Sequence, residues 1–402
     1  PLRHKRCGGN WLGAHGWRCC WCTSSARWTV AQQTADAKNA RRRLTPMTTQ
    51  TQGLVCAHHH LYSSLVRGMP APKSPSTSFI EILNNIWWRV DAALDNEMIY
   101  WSAMLGATKT LMSGTTCIID HHESPNCIDG SLSTISQACA TVGVRVNTCY
   151  GVTDRWDNDG QLHTKVSPLS KMTSAAKRGL AECERYISNG GNGMIGVHAS
   201  FTCCDETLQA AADLAKNLSV GVHIHVAEGL DDSHAGDRLK SLARENWLLV
   251  HAVHLKGELN GYIVHNARSN MNNSVGYAKP TTRGNKILLG TDGIGANMLE
   301  EARVAYARLR EFDVKAEPST VWQWLDNSLE FFPEAKNDVV SFNYDHAQSP
   351  WHAAFTTNMP VTDVTVNGEK VLANGLPTRV DLDEVRAKAN EQALRLYERL
   401  SA

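Results

Sequence analysis

The sequence predicts an α/β fold, a (β/α)8 TIM barrel, and three observations lead to it. Short apolar segments alternate with amphipathic segments along most of the chain, which indicates βαβ units and a parallel sheet. About eight such units follow one another, which favours a closed barrel over an open sheet. No Gly-x-Gly-x-x-Gly sequence follows a predicted strand, which argues against a dinucleotide-binding fold.

The predicted elements begin at residue 53. Strands are predicted at 53–56, 115–120, 144–150, 194–200, 220–226, 247–255, 262–265 and 287–290. Helices are predicted at 79–93, 97–112, 132–141, 169–187, 206–218, 235–245, 299–312 and 320–331, with Asp205 as an N-cap. This alternation assigns residues 53–335 to the barrel.

The two ends of the chain differ from this pattern. Residues 1–52 combine tryptophans, clustered cysteines and an arginine run without a helical or strand period, so we expect an atypical leader that is either disordered or a remnant of a small β-sandwich. A zinc knuckle is an alternative, with Cys7, His15, Cys19 and Cys22 as its ligands. The spacing of these residues fits no known zinc-binding pattern. Residues 336–402 contain short strands, a closing helix and Asn367-Gly368, a type I′ hairpin signal.

The composition limits the class of function. Lysine plus arginine and aspartate plus glutamate are equal at 40 each, so net charge gives no argument for binding nucleic acid or a membrane surface. No apolar run approaches the roughly 20 residues that cross a bilayer. Twelve cysteines, mostly inside apolar runs, suggest reduced thiols and a cytoplasmic location.

Histidines at predicted strand ends give the first functional signal. His58 and His60 follow a buried strand, and because side chains alternate along a strand they point the same way, opposite to His59. Three consecutive histidines also occur in solvated loops. Two imidazoles on one face provide half of a divalent-metal site, and the remaining ligands must come from later strands.

Later strand ends supply these ligands. His58, His60, His225 and Asp292 together give three imidazoles and a carboxylate, which suits a hydrolytic metal ion that keeps one position for water. Glu228 is the predicted proton shuttle, and His251 is predicted either to polarise the substrate or to hold the tetrahedral oxygen. Asp292 is also predicted to accept the proton of the attacking water.

Alternatives remain for these roles. Other histidines compete for them, namely His59, His121, His122, His223, His254 and His265. His223 and His225 share one face of their strand, so the strand pattern does not choose between them. A nucleophilic cysteine at Cys203-Cys204 lacks a base placed for it.

As a set, several motifs resemble the amidohydrolase superfamily, in particular its cytosine-deaminase/chlorohydrolase-like branch. They are Ala57-His58-His59-His60, Gly114-Thr115-Thr116, His225-Val226-Ala227-Glu228, His251-Ala252-Val253-His254, Ser269-Asn270 and Gly290-Thr291-Asp292-Gly293. The triple histidine, Trp87-Trp88-Arg89, Asp120-His121-His122 and the sequence 269–273 are most similar to SsnA-type aminohydrolases. The resemblance runs from about Gly53 to the C-terminus.

The resemblance implies a distorted (β/α)8 barrel with a small β-sandwich, here incomplete, built from both chain ends. It implies one zinc or iron ion on His58, His60, His225 and Asp292, which decides for His225 over His223, and it makes Glu228 and His251 catalytic. His198 matches a position that contacts substrate. Trp88 and Arg155 are further predicted substrate contacts. The stretches 228–251, 254–265, 275–287 and 332–338 are shorter than in members of the family, so we expect clipped barrel helices.

The functional prediction is a cytoplasmic, metal-dependent aminohydrolase that acts on a small-molecule substrate, with a homo-oligomer as the expected assembly. Water attacks an amino-substituted carbon of a nitrogen heterocycle or guanidine-like compound, and ammonia leaves. A chlorohydrolase or amide-cleaving enzyme with the same site is one alternative. A non-catalytic truncated relic and a zinc-finger-like module in the leader are others.

Overall fold

A computed structural model describes residues 49–157 and 161–401. The strands in chain order are β1 (Thr49–Thr51), β2 (Leu54–His59), β3 (Thr115–His122), β4 (Arg145–Tyr150), β5 (Ile195–Ala199), β6 (Val222–Val226), β7 (Leu248–His251), β8 (Tyr262–His265), β9 (Ile287–Leu289), β10 (Val339–Phe342), β11 (Val361–Val366), β12 (Glu369–Ala373) and β13 (Leu376–Pro377). Of the predicted leader 1–52, residues 1–48, which include the proposed zinc knuckle, lie outside the described residues, whereas Thr49–Thr51 form strand β1.

Eight parallel strands close into a barrel. Strands β2 to β4 form one parallel sheet and β5 to β9 form another. Parallel bridges at Thr148–Gly193 and Val152–Val197 join β4 to β5, and a bridge at His59–Asp292 joins the end of β9 to β2. The predicted (β/α)8 barrel is therefore confirmed.

The helices follow the predicted alternation, with differences at their ends. They are α1 (Phe79–Ile82), α2 (Trp88–Ala93), α3 (Asn96–Met112), α4 (Ser131–Val142), α5 (Ser174–Ser188), α6 (Asp205–Asn217), α7 (Ala235–Leu239), α8 (Ala267–Asn272), α9 (Met298–Phe312), α10 (Pro318–Asn327), α11 (Pro350–Phe355) and α12 (Leu382–Ser401). A π-helical turn, Leu83–Trp87, joins α1 to α2.

The predicted N-cap at Asp205 is wrong. Cys204 occupies the cap position with extended backbone, and Asp205 is the first helical residue of α6. Its carboxylate instead accepts a hydrogen bond at 2.6 Å from Arg238, and its charge lies in the first turn, where it complements the helix dipole.

The strands separate an inner from an outer core. Side chains such as Val55, Ala57 and Leu288 fill the barrel interior, whereas Leu54 and Cys56 pack outward against the helices. The segment from Leu329 to Ala335 packs against the inner cluster at its base. The interior is thus packed below the strand ends, which leaves the carboxyl ends for chemistry.

The expected clipping of barrel helices is seen between two pairs of strands. Between β6 and β7 the helix is only Ala235–Leu239. Between β7 and β8 the described chain contains no helix at all. Hydrogen bonds from Arg283 to the carbonyls of Ala252 and Leu255 secure that connection instead, so the barrel keeps its strands without these helices.

A second sheet, separate from the barrel, takes strands from both ends of the described chain. Its five antiparallel strands have the order β1-β10-β11-β12-β13, and Asn367 and Gly368 both have positive φ, as the predicted type I′ turn requires. Of the predicted sandwich, the described residues form this single sheet. The boundaries of the predicted domains, at 52/53 and 335/336, stay predictions.

Two further expectations concern location. Among the described residues no helix is both long and apolar enough to span a bilayer. The eight described cysteines form no disulfide, and seven of them are buried. A cytoplasmic location stays a prediction.

Candidate active site

A break in strand register turns His58 and His60 into the barrel. Val55 and Ala57 face inward, so strict alternation would direct both histidines outward. The pairing of β2 with β3 shifts between Cys56 and His59, as in a β-bulge. The two imidazole rings consequently lie 4.7 Å apart among the histidines of the interior, while His59 binds the carbonyl of Asp292.

Four side chains predicted to bind metal converge at one point. His60 Nε2 lies 3.0 Å from Asp292 Oδ1, and His58 Nε2 lies 3.6 Å from the same oxygen. His225 Nε2 lies 3.3 Å from His60 Nε2. Ligands placed tetrahedrally at 2.0–2.2 Å from zinc stand about 3.4 Å apart, so the observed separations suit a single ion.

The outer nitrogen of each imidazole is held by a different partner. His60 Nδ1 lies 2.6 Å from the carbonyl of His121, and His225 Nδ1 lies 2.6 Å from that of His198. His58 Nδ1 lies 2.8 Å from His223 Nε2. Such partners fix the ring and its tautomer, and leave Nε2 directed at the common centre.

The Ser269-Asn270 motif supports two of the predicted site residues. Ser269 donates a hydrogen bond of 2.5 Å to Asp292 Oδ2, so that Oδ1 faces the histidines. Asn270 Oδ1 lies 2.7 Å from His251 Nδ1. The sequence identified this motif only by resemblance, and its function as a support was missed.

Unusual backbone conformations direct the catalytic candidates inward. Leu249 packs outward, so alternation alone would send His251 outward as well. The left-handed φ of +70° at His251, and of +54° at Asp292, reorients both side chains. Such strain is typical of functional sites. Gly290 is needed beside them, because a Cβ there would lie 2.7 Å from His58 Cβ.

Glu228 and His251 lie beside the histidine cluster, as predicted for catalysis. His251 Nε2 is 3.3 Å from Glu228 Oε2 and 4.0 Å from Asp292 Oδ2. Asn273 donates a hydrogen bond of 3.2 Å to the other oxygen of Glu228. Asn273 had no assigned role in the sequence, although it ends the 269–273 motif.

Burial and neighbouring charges together set the protonation states of these groups; burial lowers the pKa of His60, but the Asp292 carboxylate outweighs it and raises that pKa overall. Burial lowers the pKa of His58 well below its usual value, and together with the charge of His60 it lowers that of His225 to about 3. Burial raises the pKa of Asp292, but His58 and His60 outweigh it and hold that pKa well below its usual range. Burial raises the pKa of Glu228 to about 7.

The donor set fits a divalent ion. Neutral imidazoles and an ionised carboxylate are the forms that bind metal. The buried Nε2 atoms of His58 and His251 have no hydrogen-bond partner among the described residues, which is what an ion or its water would supply. His58, His60 and Asp292 form one ligand group, and His58, His225 and His251 form another.

A pocket of about 660 Å³, part of it open to solvent, lies over this cluster. Glu228, Asp292 and His225 line its inner end. Its walls are aromatic and include Tyr62, Phe79, Trp87, Trp88 and Phe201. Flat aromatic faces suit a planar heterocycle.

The three predicted substrate contacts lie close together on one wall. Trp88 and His198 line the pocket. The Arg155 guanidinium is fully buried behind them, 3.2 Å from His198 Nε2 and 4.9 Å above the Trp88 ring. Their contacts with substrate stay predictions.

The competing histidines occupy supporting positions. His223 lies behind His58, and His121 Nε2 lies 3.1 Å from the carbonyl of Val197. His122 contacts Ser124, and His254 contacts the carbonyl of Val275. Cys203 has a pKa raised far above its ordinary value by burial, which is unfavourable for a nucleophile.

A barrel that gathers imidazoles and a carboxylate at the ends of its strands is built like a metal-dependent hydrolase. The model of the amidohydrolase family matches residues 51–325. The chain belongs to the amidohydrolase family. The predictions of this family, and of a hydrolase that acts on carbon–nitrogen bonds, are thereby confirmed.

Curated relatives are similar over most of the chain. A 5′-deoxyadenosine deaminase of Methanocaldococcus jannaschii is 27% identical over 393 residues, which cover 84% of this chain and 87% of the relative. A 5-methylthioadenosine/S-adenosylhomocysteine deaminase of Archaeoglobus fulgidus is 26% identical over 389 residues, covering 86% and 87%.

Solved structures share the fold. A zinc-bound adenosine deaminase from Xanthomonas campestris superposes with a TM-score of 0.72 at 19% identity, covering 87% of this chain and 86% of that one. An atrazine chlorohydrolase from Arthrobacter aurescens in complex with zinc gives a TM-score of 0.70 at 18% identity, covering 86% and 88%. Both confirm the barrel architecture.

Proposed function

We propose that the protein is a zinc-dependent deaminase of an aminated purine, with an adenine nucleoside as the substrate class. The observation that carries the proposal is the convergence of His58, His60, His225 and Asp292 beneath an aromatic pocket. The named activities of the curated relatives support an adenine nucleoside. A cytoplasmic location and a homo-oligomeric state belong to the same proposal.

His58, His60, His225 and Asp292 are the residues that would hold the ion. When bound, zinc lowers the pKa of water towards neutrality and so supplies the nucleophile. Iron suits the same ligands. The zinc in related solved structures favours zinc.

The side chains around the ion move the protons. Asp292 accepts the proton that water loses, because its Oδ1 faces the centre while Ser269 holds Oδ2. Glu228, whose pKa of about 7 allows both protonation states near neutrality, delivers a proton to the leaving nitrogen. His251 holds the attacking oxygen as the ring carbon becomes tetrahedral and the electron pair of the C=N bond moves to the ring nitrogen.

Dechlorination is the second candidate function. The atrazine chlorohydrolase whose structure superposes on this chain is in complex with zinc. The curated relatives with the higher sequence identity are deaminases, so deamination is favoured. The two functions differ in the leaving group, ammonia or chloride.

The test is a product assay on zinc-loaded protein. Adenosine, 5′-deoxyadenosine and 6-chloropurine riboside are each incubated with the enzyme, and ammonia and chloride are measured. We expect ammonia from the adenine nucleosides and a slower release of chloride. Release of chloride with no ammonia would mean that the enzyme is a dechlorinating hydrolase and not a deaminase.

The Glu228→Gln variant tests the proton shuttle. It keeps the shape of the side chain but cannot transfer a proton, so we expect kcat to fall by a factor of about 10² to 10⁴ with zinc content unchanged. Glu334→Gln, at an exposed position outside the pocket lining, is the matched control. A Glu228→Gln enzyme of full activity would remove Glu228 from the mechanism.

A further inference from the structure

The pocket that serves the proposed function has an uneven charge. Its lining contains five carboxylates and neither lysine nor arginine among the described residues; the carboxylates are Asp91, Glu123, Glu228, Asp232 and Asp292. Asp292 and Glu228 belong to the ion and the proton shuttle. Asp91, Glu123 and Asp232 are therefore the acids whose effect on the substrate is unassigned.

Arg155 is a cation that lies directly against this lining, and it is already engaged. Its guanidinium is fully buried, lies 3.2 Å from Asp91 Oδ2, and also forms an ion pair with Glu123. Two carboxylates against one guanidinium leave the group with a net negative charge. An anionic substrate would thus find no free guanidinium on this wall to pair with.

The nearby histidine does not change this balance. His198 Nε2 faces the Arg155 guanidinium, which can only donate, so this nitrogen accepts and the ring is uncharged. Its Nε2 lies 3.2 Å from the Arg155 guanidinium, and its Nδ1 lies 2.8 Å from Thr202 Oγ1. Both ring nitrogens thus have partners within the protein.

Unpartnered polar atoms occur on the same wall. Asp91 Oδ1 is buried and has no hydrogen-bond donor, and the Trp88 indole N–H lacks an acceptor, among the described residues. Both residues line the pocket, one helical turn apart in α2. The carboxylate oxygen therefore has room for a donor from the substrate, and an ammonium or an amidine N–H is the strongest donor of this kind.

Burial and the aromatic walls strengthen the preference of the pocket for a cationic over an anionic group. Charges act more strongly in a partly dehydrated cavity than in water, and the faces of Trp87, Tyr62 and Phe201 carry negative electrostatic potential. An anionic group entering this space would meet like charge and leave its hydration behind.

We propose, as an extension of the proposed function, that the Asp91–Glu123 pair held by Arg155 selects substrates by charge. The pocket accepts aminated heterocycles whose substituents are cationic or neutral and rejects those that carry a phosphate or a carboxylate. Asp91 and Glu123 are specificity-determining residues, and Arg155 is a positioning residue that acts through them. Nucleotides and amino-acid-bearing nucleosides are consequently poor substrates.

Three ligands that differ only at the 5′ position test this proposal. They are 5′-amino-5′-deoxyadenosine, a cation at pH 7, the neutral 5′-deoxyadenosine, and adenosine 5′-monophosphate, an anion. With the zinc-loaded enzyme we expect kcat/KM to fall in that order, with the cation exceeding the anion by at least about tenfold. A monophosphate that reacts as fast as the cation would overturn the proposal.

Binding of the matching inosine products separates this inference from the proposed function, because they have no amino group to lose. The same order of affinities without ammonia release from any nucleoside would keep charge selection and reject deamination. Ammonia release that is fastest from the monophosphate would keep deamination and reject charge selection. Failure of all three products to bind would contradict charge selection.

Variants locate the selection. Asp91→Asn and Glu123→Gln remove one negative charge each, and we expect the cation-to-anion ratio of kcat/KM to fall about tenfold in each. Asp129→Asn, at an exposed ion pair with Arg178, is the control and keeps the wild-type ratio. A loss that is equal for all three ligands would mean a purely structural role. The wild-type order remains decisive should a variant fail to fold.

Discussion

Single residues in this site depend on departures from regular structure. Sequence alternation places His58 and His60 on one face, and the structure agrees. It does not reveal which face, because the register shift after Cys56 reverses the direction of both. The left-handed backbone at His251 is equally invisible in the sequence. The ligand types were therefore predictable, but their inward orientation was known only through family resemblance.

His265 carries a prediction on pH and stability. It is fully buried, neither ring nitrogen has a partner among the described residues, and burial lowers its pKa from 6.5 to about 3. A lowered pKa contributes stability above pH 6.5 that is lost as the pH falls towards 3. At pH 5 the loss amounts to about 2 kcal/mol.

His265→Leu removes this titration. Urea unfolding measures the free energy of unfolding at pH 7.5 and pH 5. Between these pH values we expect the wild type to lose about 2 kcal/mol more than the variant does. His234→Leu, at an exposed position, is the control and leaves the pH dependence unchanged. Parallel stability curves for the wild type and His265→Leu would refute the assigned pKa.

Elements were more predictable than residue orientations. Strands β2 to β9 were recognised because short apolar runs are buried on both faces of a parallel sheet. Boundaries were less secure: the predicted strand 247–255 is only Leu248–His251, since the left-handed residues His251 and Ala252 end it. The π-helical turn within residues 79–93 has no sequence signal.

Asp338 carries a prediction at this scale, because it connects the second sheet to the barrel. It lies just before β10, is buried, and pairs with Arg145 of β4 at 2.5 and 2.9 Å. Asp338→Asn leaves the arginine without a countercharge, and we expect a loss of about 3 kcal/mol in the free energy of unfolding.

The control for this ion pair lies in the same sheet. Asp363 forms an exposed pair with Lys370 at 3.0 Å, so Asp363→Asn should cost less than about 1 kcal/mol. Thermal unfolding of both variants measures the difference. Equal losses would mean that the buried pair does not join sheet and barrel.

At the scale of the whole molecule, the barrel explains why distant sequence motifs meet. Residues at 58, 225 and 292 approach one another because parallel strands direct all their carboxyl ends to one rim. The order of strands was inferable from alternation. The grouping of Asp91, Glu123 and Arg155 was not, since it depends on which loops and helices cover that rim.

Zinc binding by the intact protein tests the central claim most directly. After dialysis against a weak chelator, the wild type should contain one zinc per chain. His254→Ala is the control and should contain the same amount, because the wild-type His254 imidazole contacts the carbonyl of Val275. For His225→Ala and Asp292→Asn the zinc content should fall well below one. Wild-type protein without zinc, or variants that retain it fully, would contradict the assignment of these side chains to one metal site.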